Sequence, residues 1–546
     1  MESPASVSGR KSLPWVHALI VLIVALDIAF FWQRIGGAHR SEFGGHPDEA
    51  AHVVTGLFVR DAILEAIDYG AGGFRGSPVE IGKEFADEYY SHYPKIGLGV
   101  WPPFFYVVQS AWTLPLGASR ATLLLLMCML AGGLGLLVYR ALREEYGVLP
   151  AAAGMVLLLS LPLVRGQYSM IMAETLSALL MFGAMLCFGN FLDREKRGDA
   201  LWFGVLAALA ILTKGTGLAL ALAAPLALCF SRKFRLLRRP ALWAAVLIVV
   251  IVAGPWTWAT RNLGKGGWLQ PELSWDFTRE ALFYYAGKFG IALGFLYAFA
   301  FTVGVVVKVR ASGPHQGHWT AAGALILSVL VFQSIAPVGL EARHLIPALP
   351  AALMFSVAGL AWLVRRAMRL RAEEPLSRSA PWLAAVVVLA LPTVLFPIKK
   401  KDCFGFGPLA ETVLKQAAPA DVVLVSSDAT GEGMFISEVA LREKRPGHTI
   451  QRASKSLASS TWSGSGYSPA FEKDDDLLAF LTSGKIQYLV LDDAGLGLKR
   501  REHHDQLKRL VEKHPDRFQP LAETDLQRDG HSLQPPIKLY QIPRKN

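Results

Sequence analysis

The sequence predicts a polytopic α-helical membrane protein of about 11 transmembrane helices followed by a soluble α/β domain. Three observations predict it. Hydrophobic residues make up 52% of the 546 positions. Nearly all of that bias lies before residue 398, in blocks of roughly 17 to 25 residues, the length that crosses a hydrocarbon core as a helix. After residue 398 the texture changes to short Val, Ile and Leu runs between polar helical patterns.

Taken in order, the apolar blocks place spans near 13–32, 120–139, 149–164, 174–192, 200–213, 216–230, 241–259, 289–307, 319–338, 345–364 and 381–398. No small-residue cleavage site follows the first, because Gly36-Gly37-Ala38 runs into His39 and Arg40, so it reads as a retained helix. Alternate loops are basic: Arg10 and Lys11; Arg140 and Arg143; Arg194, Lys196 and Arg197; Arg232 to Arg239; Lys308 and Arg310; Arg365 to Arg378. The positive-inside rule then makes the N-terminus cytoplasmic and the tail extracytoplasmic, in an inner (plasma) membrane. The net charge of +11 is therefore a topology signal and not a nucleic-acid footprint. Residues 102–117, after Trp101-Pro102-Pro103, would invert every later loop if they crossed, so they read as a re-entrant or interfacial helix. Cys128, Cys187 and Cys229 fall inside spans and Cys403 stands apart, which supports neither a disulfide framework nor a cysteine metal site.

This divides the chain into a membrane part, residues 1–398, with a large outer loop at 33–119, and a soluble part, residues 399–546. The loop holds a helical pattern from Asp48 to Ile67, a glycine-rich turn from Gly70 to Gly76 and the polar-aromatic run Tyr89 to Lys95. Loops of that length are usually functional or disordered, and the aromatic content argues against disorder. In the tail, Asp421–Ser426, Ile486–Leu491 and Ile537–Gln541 read as strands and Gln506–Lys513 as a helix, with a serine-rich stretch from Ser454 to Ser468.

Candidate chemistry begins just past the first span, at Gly44-Gly45-His46-Pro47-Asp48-Glu49-Ala50-Ala51-His52. Pro47 suits the first helical position and carboxylates suit the first turn, so Pro-Asp-Glu alone is a helix start. Beside a membrane surface, the same pair is also a candidate for general-base work. Few other charges lie on this face: Arg165, Glu174, Lys214, Arg261, Glu341, Arg343 and His344, with Lys95 in the loop. Charges near lipid are usually functional or paired. Glu174 opens a span, where it partners the helix dipole or, with Asp48, completes a carboxylate cluster for proton transfer or a divalent cation. His46 and His52 flank the acidic pair, but their spacing is not diagnostic of zinc. Lys214, Arg343 and Arg165 each stand as a single base at a helix end, either snorkelling or meeting an anionic ligand.

In order and on one membrane side, His46-Pro-Asp-Glu, Tyr93-Pro-Lys95 leading to Trp101-Pro-Pro103, Glu174, Leu212-Thr-Lys-Gly215 and Arg343-His344-Leu-Ile-Pro347 resemble the polyprenyl-phosphate-sugar glycosyltransferases. Those are the GT-C membrane enzymes typified by protein O-mannosyltransferases and the lipid A aminoarabinose transferase. The resemblance spans most of residues 13–365 and is silent on the tail. It implies transfer of a hexosyl or pentosyl group, with inversion, from a polyprenyl-phosphate donor to a lipid, glycan or protein acceptor. Asp48, with Glu49 beside it, would be the base, and Glu174 stands where relatives commonly carry Asp. Lys95 and Arg343 would contact the lipid phosphate, although Lys95 lies further from Pro102 than the Lys-Pro-Pro of many relatives. Tyr93, Arg165, Lys214 and His344 complete the expected donor-binding set. Other readings of the same charges are a polyprenyl-lipid transporter, a lipid-binding scaffold, or a sensor whose tail is active. Against them, no paired repeats, phosphate loop or nucleophile elbow is evident.

Overall fold

The computed structural model describes residues 14–71, 77–263, 274–311, 316–336, 338–370, 374–395, 398–460, 466–495, 501–528 and 530–543. Arg10 and Lys11, positions 72–76 of the glycine-rich turn and positions 461–465 of the serine-rich stretch lie outside them.

Every predicted span is largely helical over its described residues. In chain order the membrane part contains α1 (Trp15–Ile35), α2 (Glu49–Ala71), α3 (Pro78–His92), α4 (Phe104–Leu116), α5 (Arg120–Tyr146), α6 (Val148–Ser160), α7 (Pro162–Tyr168), α8 (Glu174–Arg194) and α9 (Arg197–Thr213). It continues with α10 (Leu220–Ser231), α11 (Pro240–Thr260), α12 (Trp275–Leu293), α13 (Phe295–Arg310), α14 (Gln316–Ile335), α15 (Leu349–Ala367), α16 (Ala380–Ala390) and α17 (Pro392–Leu395). Among the described residues, 6 helices are long and apolar enough to cross a membrane, and two bent pairs bring the number to 8. Gly215–Ser231 and Ala380–Leu395 are shorter apolar helices.

Three elements depart from the sequence reading or refine it. The span expected at 149–164 bends by 67° between α6 and α7. The span expected at 289–307 is broken: α12 and α13 meet at a bend of 106°, where Gly294 has φ +80°, a conformation that costs a glycine nothing. The stretch expected to lie along the interface is the 13-residue α4, about 20 Å long and too short to span. Close helix packing elsewhere rests on small residues. Where α13 crosses α15, a Cβ on Gly304 would overlap the Phe355 carbonyl and one on Gly359 the Ala300 carbonyl.

The loops sort to two ends. Arg235 and Arg239 pair with Glu195, Lys308 pairs with Glu145, and the Gly317 N–H donates to Asp193 Oδ1 at 2.9 Å. Among the described residues, the basic loops at 140–146, 193–197, 232–239 and 308–317 thus converge at one end of the bundle. At the other end, the α2 N-terminus meets the starts of α8 and α15.

The tail forms α18 (Phe406–Gln416), β1 (Val422–Ser426), α19 (Ala429–Arg442), β2 (Thr449–Arg452), α20 (Ala453–Ser456), β3 (Ala458–Ser459), β4 (Ser468–Pro469), α21 (Asp474–Leu481), β5 (Tyr488–Leu491), α22 (Glu502–Lys513), β6 (Gln519–Arg528) and β7 (His531–Gln541). Its five-stranded sheet runs β2-β1-β5-β7-β6. β2, β1 and β5 are parallel, and β7 and β6 close the edge antiparallel. β1 alternates its faces: Val423 and Val425 join the core shared with the membrane part, while Leu424 packs with Leu489, Leu507 and Leu510 under α22.

Polar contacts hold the tail to the first loop and to the start of α5. Arg445 Nε meets Asp61 Oδ2 at 2.6 Å, Tyr93 Oη donates to Glu443 Oε1 at 2.6 Å, and Arg120 Nη2 meets Glu438 Oε1 at 2.5 Å. Glu42 accepts from the Gly405, Phe406 and Gly407 N–H groups at 3.1, 3.1 and 2.8 Å, capping α18. Burial and the neighbouring Glu438 carboxylate push its carboxyl up to about 7 despite those three donors. A raised carboxyl binds more protons folded than unfolded, so stability should fall as pH rises from about 4.5 to 7. The expected loss is on the order of 3 kcal/mol. Thermal unfolding of wild type and Glu42→Gln across that window checks this, and the variant should lose the slope.

Candidate active site

Asp48 sits at the cap of α2, its carbonyl accepting the His52 N–H at 2.9 Å. Its side chain does not cap the helix. Oδ2 instead takes Arg343 Nη2 at 3.0 Å, and the carboxylate is 14% exposed. Arg343 lies in the 3-10 turn Ala342–Ala348 that leads into α15. Its Nε is 3.3 Å from Glu174 Oε1 and 2.7 Å from Glu341 Oε2. Lys214, at the break between α9 and the 3-10 turn Gly215–Ala219, reaches the same Glu174 Oε1 at 2.5 Å. Four separate breaks in the helical body therefore deliver one cluster. Glu174 is 2% exposed, and its buried Oε2 has no hydrogen-bond partner among the described residues.

His46 completes the arrangement. Its Nδ1 accepts from the Asp48 N–H at 3.1 Å and lies 3.4 Å from Arg343 Nη1. This assigns the proton to Nε2, which sits 3.3 Å from Glu341 Oε2. Burial works to raise the Glu341 carboxyl, but the His46 hydrogen bond and Arg343 outweigh it and hold it down to about 2. The sequence reading named His46 and Glu341 but gave Glu341 no role.

Lys214 and Arg343 stand in the sequence as single bases, either snorkelling or meeting an anionic ligand, and the structure gives each a carboxylate partner. Both are already paired, and the cluster sets three carboxylates (Asp48, Glu174 and Glu341) against two cations. The Arg343 guanidinium bridges Asp48 and Glu174. Among the described residues no group of three His, Cys, Asp or Glu side chains could hold a metal ion.

Other expected site residues lie elsewhere. Glu49 faces away from Asp48: Oε1 meets Lys401 Nζ at 2.5 Å and accepts the Ile171 N–H at 3.2 Å, while Oε2 accepts the Gly45 N–H at 2.9 Å. Fully buried, it fastens three chain segments together and is a positioning residue. Glu49→Gln leaves Lys401, itself 7% exposed, without its counter-ion, and should cost about 3 kcal/mol or more. A lowered thermal midpoint, partly restored in Glu49→Asp, checks this. Lys95 Nζ donates to the Ala429 carbonyl at 2.9 Å at the docking surface of the tail. Burial lowers its ammonium to about 7, although it remains within electrostatic reach of Asp48. Tyr93 belongs to that same surface through Glu443. His344 Nδ1 pairs with Tyr285 Oη at 3.0 Å and ties α12 to the Arg343 turn. His52 is packed against Trp101, with Nδ1 2.8 Å from Tyr106 Oη, and burial lowers it to about 4. It is a core histidine and does not meet His46. Arg165 lies over Trp32 at 5.2 Å and donates to the Leu395 carbonyl at 3.1 Å.

Residues 101–258 match the family model described as dolichyl-phosphate-mannose-protein mannosyltransferase. Nearly the whole chain also superposes on ArnT from Cupriavidus metallidurans. The structure bound to undecaprenyl phosphate gives a TM-score of 0.57 at 15% identity, covering 96% of this chain and 98% of that one. The apo state gives 0.58 at 15% identity, with 96% and 97% covered. The chain has the GT-C fold. A second GT-C likeness, to the Archaeoglobus fulgidus oligosaccharyltransferase in the apo form, has a TM-score of 0.53 at 12% identity over 88% of this chain and 70% of that one. A search of curated proteins gave no match. Within this GT-C chain the family model reaches Arg165, Glu174 and Lys214, whereas Asp48 and Arg343 fall outside the matched residues.

Proposed function

We propose that this GT-C chain transfers a sugar from a polyprenyl-phosphate donor to an acceptor hydroxyl, with Asp48 as the general base. The observation that carries it is the Asp48 carboxylate, partly exposed and held by Arg343 through Oδ2 alone. Among the described residues its Oδ1 makes no protein hydrogen bond, and it would take the acceptor proton. In the step, the acceptor oxygen bonds to the anomeric carbon as the carbon–oxygen bond to phosphate breaks. The proton passes to Asp48, and the electron pair leaves on polyprenyl phosphate. Arg343 and Lys214 fix the two acidic side chains, and the unpartnered Glu174 Oε2 is an acceptor for a substrate hydroxyl.

A single base and a good leaving group imply one displacement, so the product should carry the inverted anomeric configuration. NMR of the transferred sugar checks this, and retention would require a covalent glycosyl intermediate that this reading does not contain. In the same reading the site is extracytoplasmic and the N-terminus cytoplasmic, in the inner membrane. What supports that orientation is the convergence of the basic loops on the end of the bundle opposite Asp48. The sugar could be a hexose or pentose, and the acceptor a lipid, glycan or protein.

A further inference from the structure

The turn that carries Asp48 is closed on itself. The Glu49 N–H donates to the His46 carbonyl at 3.0 Å, and Pro47 stands at the second position of this turn, where its fixed φ suits it. Gly44 and Gly45 lead in so tightly packed that a Cβ on the first would overlap the Met434 side chain and one on the second the Met170 side chain. Inside the turn the Asp48 N–H donates to His46 Nδ1 at 3.1 Å, the contact that an Asn or Asp side chain makes with the N–H two residues on. A closed circuit of four residues surrounds that contact. His46 Nε2 lies 3.3 Å from Glu341 Oε2, which in turn lies 2.7 Å from Arg343 Nε. Arg343 Nη2 meets Asp48 Oδ2 at 3.0 Å, and Asp48 returns to His46 through its own N–H.

We infer that His46 is a positioning residue for the transfer step, fixing through Nδ1 the direction in which Asp48 presents its carboxylate to the acceptor hydroxyl. A carboxylate at the start of a helix ordinarily turns back onto the first N–H groups, where it is a cap and not a base. Here the imidazole holds the Asp48 backbone and Arg343 holds Oδ2, which leaves Oδ1 for the hydroxyl. Glu341 has its own part in this. By taking the Nε2 proton it keeps Nδ1 an acceptor, as the partner of one imidazole nitrogen decides the state of the other. His46 exchanges no proton in the step. Its effect runs through geometry, and a base displaced by about 1 Å can cost about 10²-fold in rate.

The inference rests on the reading of Asp48 as the base and adds the group that aims it. Its test compares His46→Ala, His46→Asn and His46→Gln in the full-length protein, by single-turnover transfer from the labelled polyprenyl-phosphate sugar that wild type turns over, by donor affinity and by thermal midpoint. His46→Ala should lower the rate at least about tenfold with donor affinity unchanged. His46→Asn, whose side-chain oxygen can take the Asp48 N–H, should restore most of the rate. His46→Gln, whose amide reaches Glu341 and not back into its own turn, should not. An unchanged rate in His46→Ala, restoration by Gln and not by Asn, or a loss of rate in all three that follows the thermal midpoint overturns the assignment. Asp48→Asn separates the inference from the reading beneath it. If that variant loses transfer and His46→Ala does not, the positioning role alone falls; if it transfers as wild type, the base falls and the positioning role with it. Adding His46→Ala to Asp48→Asn should lower the rate no further, because no base is left to aim. A second loss as large as the first would show that His46 acts on another group and would overturn its assignment to Asp48.

Discussion

Asp48→Asn is expected to lower the rate of sugar transfer by about 10²–10⁴-fold, the usual worth of a positioned general base. Donor binding and folding should be nearly intact. The substitution keeps the side chain's shape and leaves an amide oxygen for Arg343 Nη2, so the cluster is not dismantled. It removes only the ability to take a proton. The measurement is a single-turnover rate alongside the thermal midpoint and donor affinity. A rate within about tenfold of wild type would mean that another group accepts the proton. A fall in stability without a separate fall in rate would mark Asp48 as structural. The buried Glu49 carboxylate is no substitute base, because both its oxygens are committed to Lys401, Ile171 and Gly45.

Arg343→Met should be the most damaging exchange for stability. It withdraws the one cation shared by Asp48, Glu174 and Glu341, leaving three carboxylates with Lys214 alone. Removing one partner of a buried ion pair costs about 3–5 kcal/mol. Methionine keeps much of the apolar stem, so the loss reads on charge and hydrogen bonding and less on packing. Arg343→Lys should recover part of the stability but little of the rate, since a point charge cannot hold two carboxylates in the planar arrangement of the guanidinium. Unfolding of the solubilised variants, followed with transfer rate, separates the two effects. A methionine variant as stable as wild type would contradict the role given to this arginine.

The membrane body was legible because long apolar blocks have few other solutions, and the alternation of basic loops anticipated which loops share an end. The bend at Gly294 escaped because α12 carries Phe283, Tyr284, Tyr285 and Ile291 up to it, so composition runs unbroken across a conformational break. β6 escaped for a related reason. As the edge strand of the sheet, beside β7, it is polar along most of its length. The acidic motif at Asp48 was visible from local spacing, but the partners that divide its two carboxylates were not. Arg343 lies 295 positions from Asp48 and Lys401 lies 352 from Glu49. One adjacent pair thus holds two functions, and only the long-range contacts tell which residue faces the site and which fastens the fold. The same limit explains Lys95, whose motif-like position gave no sign that the tail would cover it.

The most direct measurement is donor turnover by the purified wild-type protein, reconstituted in vesicles with a polyprenyl-phosphate sugar labelled in both the sugar and the phosphate. The account predicts that the two labels separate, with polyprenyl phosphate released in step with the appearance of sugar on the acceptor. Movement of the doubly labelled donor across the vesicle membrane with the labels still joined would contradict it and assign the fold to transport. So would tight binding with no separation for any hexosyl or pentosyl donor.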